Sequence, residues 1–287
     1  MIAARALLKD IASDTPFQPA TSLWRAVELA RIINSPFPQG RGLDLGCGDG
    51  RILMRILEHV GPREMAGIDL DSRETDAARA SGAYTAVHTG PASAIPEPDA
   101  SFDFVFSNSV LEHIPDLDPV FAEIARVLKP GGTLLFTAPA TTFPDALYGP
   151  LLPWQDRARY LDMMNRRIAI QHLFSPENTT AWLDAAGLEV ESLEFYLRQG
   201  VVRRWEFIAR ITSGLLYTLT GKRKHPIEIQ HALNLRDRRQ GPLARLAVLI
   251  TQVLAIGALD DADPRGRYTG LLVYAKKRGA DANRVSL

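Results

Sequence analysis

The sequence contains a single cysteine, Cys47, among its 287 residues. One thiol cannot form a disulfide within the chain, and it cannot supply the paired cysteines of finger-type zinc sites. Because disulfide frameworks belong to oxidising compartments, their exclusion favours a reducing cytosol, and we expect a cytoplasmic protein. The N-terminal segment MIAARALLKD also lacks the apolar core of a signal peptide, since Lys9 and Asp10 interrupt it.

Long hydrophobic runs, internal repeats and low-complexity segments are also missing. The longest mainly apolar stretch that contains no charged residue covers residues 246–259 and is 14 residues long. A membrane-spanning helix needs about 20. Hydrophobic residues make up 46% and charged residues 23% of the chain, as in ordinary globular proteins. The composition therefore predicts a packed globular protein with no membrane span.

The chain has no net charge, but its two ends differ strongly. Residues 1–200 hold 26 acidic and 17 basic side chains, whereas residues 201–287 hold 7 and 16. The first part therefore carries a charge of −9 and the second +9. A basic C-terminal part favours an anionic partner such as a phosphate or a lipid headgroup. No nucleic acid is expected, because no recognised nucleic-acid-binding motif is present.

Apolar strands alternate with amphipathic helices over much of the chain. This alternation favours parallel strand pairing and predicts an α/β fold with a doubly wound sheet. The predicted strands are 41–45, 65–70, 102–107, 133–138, 188–197 and 268–276. The predicted helices are 22–33, 51–59, 72–80, 117–128 and 175–186, and residues 200–267 are predicted to be helical and basic.

A glycine-rich turn, LDLGCGDG over residues 43–50, lies between the first predicted strand and the next helix. Glycines there let the backbone approach a ligand closely, and the start of a helix offers N–H groups. Asp69 follows 21 residues after Gly48, at the end of the next strand, where a carboxylate can bind both hydroxyls of a ribose. The pattern predicts a site for a nucleoside-containing cofactor.

The glycine spacing argues against a nicotinamide cofactor. That fingerprint, G-x-G-x-x-G/A, needs a small third residue, and counting from Gly46 and Gly48 the third position is Arg51. The glycines instead follow an acidic residue, Asp44, in the order D-x-G-x-G-x-G. A carboxylate suits a ligand with a cationic amino acid end better than it suits a pyrophosphate.

Four motifs follow one another in register: LDLGCGDGRI, GIDLD, IPEPDASFDFVFSNSVLEHIPD and EIARVLKPGGTLLFTAP. With them the sequence resembles the class I S-adenosylmethionine (SAM)-dependent methyltransferase family over about residues 40–140. The resemblance implies a Rossmann-like sheet of seven strands, mostly parallel with the last strand antiparallel. It also implies SAM as methyl donor, leaving as S-adenosylhomocysteine, and thus a transferase that catalyses methylation.

The resemblance also implies roles for particular residues. The glycines of the loop wrap the cofactor, while Asp44 organises the loop toward the methionine end. Asp69 accepts from the ribose hydroxyls, and Leu70 packs on the adenine. Asn108 and its neighbour hold the methionine amino group. The cofactor-binding set implied is Asp44, Gly46, Cys47, Gly48, Gly50, Asp69, Leu70, Ala92, Asn108 and Ser109.

The sequence departs from the family at Pro91. Many relatives carry an aspartate there that reads the adenine amino group, but this chain has Gly90-Pro91-Ala92-Ser93. Proline has neither a side-chain acceptor nor an N–H. Adenine recognition is therefore expected to rest on backbone groups at Ala92 or on Ser93.

His113, in SNSVLEHIPD, is the best-placed candidate for a catalytic base, although a histidine there can equally cap the loop. His172 and Tyr160 lie in the irregular segment 139–174 and are weaker catalytic candidates. Cys47 is interpreted as a small packing residue and not as a nucleophile. Glu112 and His113 have no second histidine at metal spacing, so no metal site is expected.

The expected domain organisation has four parts. They are an N-terminal helical arm (1–40), a SAM-binding core (41–199 with 268–278), a helical insertion (200–267) and a tail (279–287). The insertion precedes the last strand and is expected, together with 139–174, to cover the acceptor site.

The acceptor is less defined than the donor. Residues 198–224 hold seven basic residues and one acid, interleaved with apolar and aromatic residues. This pattern is typical of a bilayer surface and suggests a lipid or lipid-linked saccharide acceptor, with peripheral membrane contact through 200–260. A solvated basic face on packed helices is the simpler interpretation. O-methylation of a soluble sugar or secondary metabolite and a non-catalytic SAM-binding scaffold remain alternatives.

Overall fold

The computed structural model describes residues 1–152, 154–214, 240–259 and 267–279. Its seven strands form one sheet. In chain order they are β1 (Arg41–Leu45), β2 (Glu64–Asp69), β3 (Ala86–Thr89), β4 (Phe102–Asn108), β5 (Leu128–Pro139), β6 (Leu188–Arg198) and β7 (Tyr268–Lys277).

The strand order is β3-β2-β1-β4-β5-β7-β6. β1 pairs in parallel with both β2 and β4, and β7 pairs antiparallel with β5. The predicted doubly wound sheet, mostly parallel with an antiparallel last strand, is confirmed. The chain reverses its direction across the sheet between β1 and β4, and ligands of open α/β sheets bind at such a switch point, beyond the carboxyl ends of the strands.

The described helices fall into two groups. Those that connect the strands of the sheet are α3 (Arg51–Val60), α4 (Ser72–Ser81), α5 (Asp118–Val127) and α8 (Pro176–Ala185). The remaining ones are α1 (Ala4–Asp14), α2 (Pro19–Ile33), α6 (Phe143–Ala146), α7 (Arg157–Ile168), α9 (Gln199–Ala209) and α10 (Pro242–Leu254).

The chain divides into two compact units. The sheet unit consists of Ser35–Thr141, Gln171–Phe195 and Gly270–Leu287. Its core holds fully buried aromatic side chains, such as those of Phe102 and Phe136. Burying a side chain of this size contributes about 1.5–3 kcal/mol, so these aromatic residues supply a large part of the stability of the sheet.

The helical unit consists of Met1–Asn34, Thr142–Ile170 and Tyr196–Thr269. Trp24, Phe143 and Trp205 meet edge to face at its centre, with ring centroids 5.5 to 6.0 Å apart. The sequence-based division instead separated an N-terminal arm (1–40) from the insertion (200–267).

Some elements differ from the sequence-based prediction. β3 was not predicted, because its four residues are too few for a clear alternation. α7 was not predicted either, because its sequence is strongly polar and the segment 139–174 was predicted to be irregular. Asp156 caps the helix, since its side chain accepts the N–H groups of Ala158 and Arg159. β5 begins at Leu128 and not at residue 133, because residues 129–132, which lie between the predicted helix and the predicted strand, belong to the strand.

The predicted helical structure at 215–239 and 260–266 lies outside the described residues. Of the helices in the described part of the chain, none combines the length and the apolar character needed to cross a membrane.

Candidate functional site

The ends of β1, β2 and β4 bring four predicted site residues to the carboxyl edge of the sheet. Asp44 lies near the end of β1, Asp69 ends β2 and Asn108 ends β4, with Ser109 following. In the strand register, Asp44 stands beside Gly67 of β2 on one side and beside Phe106 of β4 on the other. The side chains predicted to bind one ligand therefore converge at the switch point.

The glycine-rich loop joins β1 to α3 and depends on left-handed backbone. Gly46 has φ +78° and Gly48 has φ +52°. A Cβ atom on Gly46 would lie 2.4 Å from Cγ2 of Val110, whereas a Cβ on Gly48 would meet nothing within 4 Å. Gly46 is thus required by packing inside the protein, while Gly48 presents bare backbone to open space where a ligand can approach.

The N–H groups of the loop are used largely within the protein. Gly46 and Cys47 both donate to the carbonyl oxygen of Ile68, at 2.8 and 3.0 Å. The Cys47 side chain is buried, and burial raises the pKa of its thiol, which keeps it protonated. Cys47 is therefore a packing residue that ties the loop to β2.

Asp69 fixes the geometry between the loop and the next helix. Its Oδ2 accepts the N–H of Gly48 at 2.9 Å and its Oδ1 accepts the N–H of Asp71 at 3.0 Å. Each carboxylate oxygen can accept more than one hydrogen bond, so both keep capacity for a ligand hydroxyl. Leu70 follows with 76% of its surface exposed, which presents an apolar side chain directly beside the carboxylate.

Asp44 is buried and hydrogen bonded to a tyrosine. The hydroxyl of Tyr84 donates to Oδ2 of Asp44 at 2.7 Å. Burial raises the pKa of Asp44 to about 7, the Tyr84 hydrogen bond opposes this increase, and the negative charge of Asp69 adds to it. The carboxyl therefore changes its charge near neutral pH, where a cationic ligand group would favour the ionised form.

Tyr84 is a site residue that sequence reasoning missed. It follows Gly82, the left-handed C-cap of α4, and precedes β3, so its ring reaches β1 from a short connection. Its ring also lies 2.8 Å from where a Cβ on Gly50 would stand. An aromatic residue in this connection was the available signal, but without β3 the connection could not be placed.

At the end of β4, Asn108 and Ser109 are both hydrogen bonded to one threonine side chain, that of Thr137 on β5. Asn108 donates from Nδ2 to the hydroxyl oxygen of Thr137 at 2.7 Å, and the N–H of Ser109 reaches the same oxygen at 3.1 Å. Ser109 has φ +52°, a left-handed conformation that turns the chain away from the sheet. Non-glycine residues in this conformation concentrate at functional sites.

The segment expected to read adenine forms a tight turn after β3. The N–H of Ala94 donates to the carbonyl oxygen of Pro91 at 3.1 Å, and the N–H of Gly90 donates to that of Asp69 at 3.0 Å. Ala92 is half-buried and Ser93 is exposed. The turn is thus held beside the end of β2, and Pro91 is its first residue.

His113 lies on the 3-10 turn Leu111–His113 that follows β4. Its side chain is 43% exposed, and Nε2 stands 3.9 Å from Oε1 of the buried Glu112. His172 is engaged differently, because its Nε2 lies 3.0 Å from the carbonyl oxygen of Pro115 and its ring packs edge-on against Trp182. Of these two histidines, His113 has the accessible imidazole.

Tyr160 belongs to a buried polar cluster in the helical unit. Its hydroxyl donates to Glu206, and Arg210 donates to the same Glu206 oxygen at 2.5 Å and to the tyrosine oxygen at 2.9 Å. Burial and the hydrogen bond to Glu206 raise the pKa of Tyr160 to about 12. A hydroxyl so reluctant to ionise is a poor proton acceptor, and it serves to orient Glu206.

Among the described residues, no group of three or more histidine, cysteine, aspartate or glutamate side chains stands close enough to hold a metal ion. The carboxylates at the switch point are instead engaged by N–H groups and a hydroxyl. Their arrangement suits hydrogen-bond donors and cationic groups of an organic ligand.

Replacing the two glycines with alanine is expected to destabilise the protein to different extents. Gly48→Ala is expected to lower the free energy of unfolding by only about 1 kcal/mol, the cost of a left-handed alanine. Gly46→Ala adds a clash with Val110 and is expected to lower it by about 3 kcal/mol. Urea unfolding of both variants measures the difference. Equal losses would contradict the assigned packing, and adding Val110→Ala to Gly46→Ala should recover part of the loss.

A family model described as a methyltransferase domain matches residues 23–193. Dimethylglycine N-methyltransferase of Parasynechococcus marenigrum is 32% identical over 179 residues, which is 60% of this chain and 60% of the relative. A ubiquinone biosynthesis O-methyltransferase of Xanthomonas oryzae is 29% identical over 178 residues, covering 60% of this chain and 71% of that protein. The chain spans between about half and three fifths of the length of the first curated relatives it matches.

The fold recurs in solved structures. A SAM-dependent methyltransferase of Thermotoga maritima superposes with a TM-score of 0.51 at 18% identity. The match covers 88% of this chain and 89% of that one. At this identity the likeness concerns the fold alone.

Proposed function

Because the chain belongs to the class I SAM-dependent methyltransferase family, we propose that it transfers the methyl group of SAM to a small-molecule acceptor. The observation that carries the proposal is the grouping of two carboxylates and a left-handed glycine at the switch point. Gly48, Asp69 and Asp44 are joined there by the loop and by hydrogen bonds.

The residues present fit the cofactor. Asp69 offers both oxygens to a ribose diol, and Leu70 offers an apolar surface to adenine. Asp44 has a pKa raised to about 7, and the cationic amino group of the methionine moiety would pair with its ionised carboxylate. Adenine selection, with Pro91 in place of an acid, falls to the backbone of the turn at Ala92. When bound, SAM supplies a methyl group that is already activated on a sulfonium.

The acceptor that we propose is hydrophobic, a lipid or a lipid-linked saccharide. Relatives are named for acceptors or pathways as different as dimethylglycine and ubiquinone, so family membership leaves the acceptor open. Support comes from the helical unit, which exposes large apolar side chains between α6 and α7, within α9 and just after α9. They are Tyr148, Leu151, Leu152, Trp154, Phe207 and Ile211.

His113 is proposed as the base for a hydroxyl acceptor. Its imidazole is accessible on the turn after β4, in the same unit as the proposed cofactor residues. The His113 imidazole would take the proton of the acceptor hydroxyl, and bound SAM would supply the methyl group that replaces this proton. Alignment of the reacting atoms contributes about 7–11 kcal/mol, and a positioned base adds about 10²–10⁴-fold in rate.

The test is S-adenosylhomocysteine production with matched acceptors. A polyprenol-linked sugar and the same free sugar are compared with the full chain, and the lipid-linked form is expected to be turned over. His113→Ala is expected to lower kcat by about 10²-fold, because the base is lost while SAM binding is kept. His172→Ala, which removes a histidine bonded to Pro115, is the matched control and should keep kcat.

Distinct outcomes separate the alternatives. Turnover of the free sugar alone would identify a soluble acceptor and overturn the lipid assignment. SAM binding without product from any acceptor would favour the scaffold alternative. Equal kcat for His113→Ala and the unaltered protein would remove His113 as base.

A further inference from the structure

One face of α10 is apolar and exposed along its length. Six large aliphatic residues on α10 and just after it have between 48% and 72% of their surface exposed. They are Leu243, Leu246, Leu249, Ile250, Val253 and Ile256, and we name them the α10 stripe. Spacings of three, four and seven bring such residues to one side of a helix, so the exposed surface is continuous.

The opposite face of α10 is small and buried. Ala244 and Thr251 are 3% and 0% exposed, and Ala255 after the helix is 3% exposed. With this face α10 packs against α1 and α2 inside the helical unit. The usual amphipathic pattern is therefore inverted, since small residues face the protein and the largest aliphatic ones face outward. Packing of the described helices does not account for the stripe, whose exposed apolar surface marks an interaction site.

Three arginines in the described part of the chain lie on or beside α10. Residues 240–259 contain one charged side chain, Arg245, and no acid. Arg204 of α9 donates to the carbonyl oxygen of Leu254 at the C-terminal end of α10. Arg5 of α1 lines a cavity of about 300 Å³ together with Val253 and Ile256.

We propose that the α10 stripe docks on an anionic lipid surface. An aliphatic helix face edged by arginines matches the two parts of such a surface, in which acyl chains accept the leucines and headgroup phosphates attract the cations. The helix of 13 residues is too short to span a bilayer, so it lies along the interface. The membrane contact expected for residues 200–260 is thereby assigned to one face of α10.

Charge distinguishes a lipid surface from a second copy of this chain. Two stripes joined about a twofold axis would bring the same arginines together, and like charges destabilise such a contact. Anionic headgroups instead neutralise them. The lipid surface is therefore the partner that both the apolar and the charged residues fit.

The test is sedimentation of the full chain with vesicles, without SAM or acceptor. Vesicles of phosphatidylcholine with about 30% phosphatidylserine are compared with phosphatidylcholine alone at low and high salt. Binding to the anionic vesicles at low salt is expected. Leu246→Gln with Val253→Gln should weaken it at least about tenfold, because two side chains no longer enter the acyl region. Arg245→Gln should weaken it about fivefold.

Met54→Gln is the control, since Met54 is an exposed apolar residue on α3 of the sheet unit, and it should leave vesicle binding unchanged. Three results would overturn the proposal. One is equal loss in the control and the stripe variant, and another is a wild-type dimer that the stripe variant dissociates without any vesicle binding. The third is a clear fall in the melting temperature of the stripe variant, which would show that the stripe packs within the chain. Because no substrate is used, failure of the proposed methyl transfer would leave this result unaffected.

Discussion

Replacing Asp69 with alanine is expected to weaken SAM binding by about 10³-fold. The carboxylate is proposed to accept hydrogen bonds from both ribose hydroxyls, and each hydrogen bond to a charged group contributes about 1.5–3 kcal/mol. The same substitution removes the acceptor that holds the N–H of Gly48, so the loop loses its anchor as well. Isothermal titration with S-adenosylhomocysteine measures the loss directly.

Asp71 provides the matched control for Asp69. It lies two residues further on and caps α4 by accepting the N–H of Arg73. Asp71→Ala should cost about 1 kcal/mol of stability, as a lost N-cap does, and leave the dissociation constant within about threefold. Equal weakening in the two variants would show that acidic charge near the loop, and not the Asp69 hydrogen bonds, holds the cofactor. A ligand-induced rise in melting temperature should likewise be lost in Asp69→Ala alone.

Replacing Asp44 with asparagine is expected to stabilise the protein above neutral pH. The pKa of this buried carboxyl is raised from 3.8 to about 7, so the folded state holds a proton that the unfolded chain has released. Stability from the protonated carboxyl is fully present below pH 3.8 and is lost as the pH rises to about 7. A shift of this size corresponds to a loss on the order of 4 kcal/mol, which a neutral asparagine avoids.

The measurement is the difference in free energy of unfolding between wild type and Asp44→Asn, obtained from urea unfolding between about pH 5 and about pH 8. The difference should grow in favour of the variant up to about pH 7 and level off above that value. Parallel curves would contradict a buried carboxyl that titrates there. Tyr84→Phe should move the titration to higher pH, because the hydrogen bond that lowers the pKa of Asp44 is lost. We expect the asparagine variant to bind SAM poorly, as stabilised active sites often lose function.

Sequence reasoning predicted the sheet and its order of elements well. The first strand was predicted to span residues 41–45, as it does, because a glycine-rich turn follows it directly. A helix was predicted over 175–186, and Ser175 caps α8 there because its hydroxyl oxygen accepts the N–H of Asn178. Strong local signals of this kind, periodicity and capping, do not depend on distant contacts. β3 and α7 gave weak local signals and are held by their neighbours and caps.

The candidate site was predictable where motif and topology coincide. The structure brings Asp44, Asp69 and Asn108 to one edge of the sheet, because parallel strands end there together. The contact between Tyr84 and Asp44 could not be predicted, since it joins residues 40 positions apart through an unpredicted strand. The inverted α10 likewise required the structure, because an apolar sequence does not reveal which side is covered.

The place of β7 in the sheet has a consequence for biosynthesis. It lies between β5 and β6, although both precede it in the chain by many residues. While the nascent chain is still being translated, the open edge of β5 carries unpaired N–H and C=O groups beside fully buried residues such as Leu134 and Phe136. Exposed strand edges of this kind invite wrong pairing. The sheet can close only once residue 277 has left the ribosome, so this edge of β5 is unpaired until then.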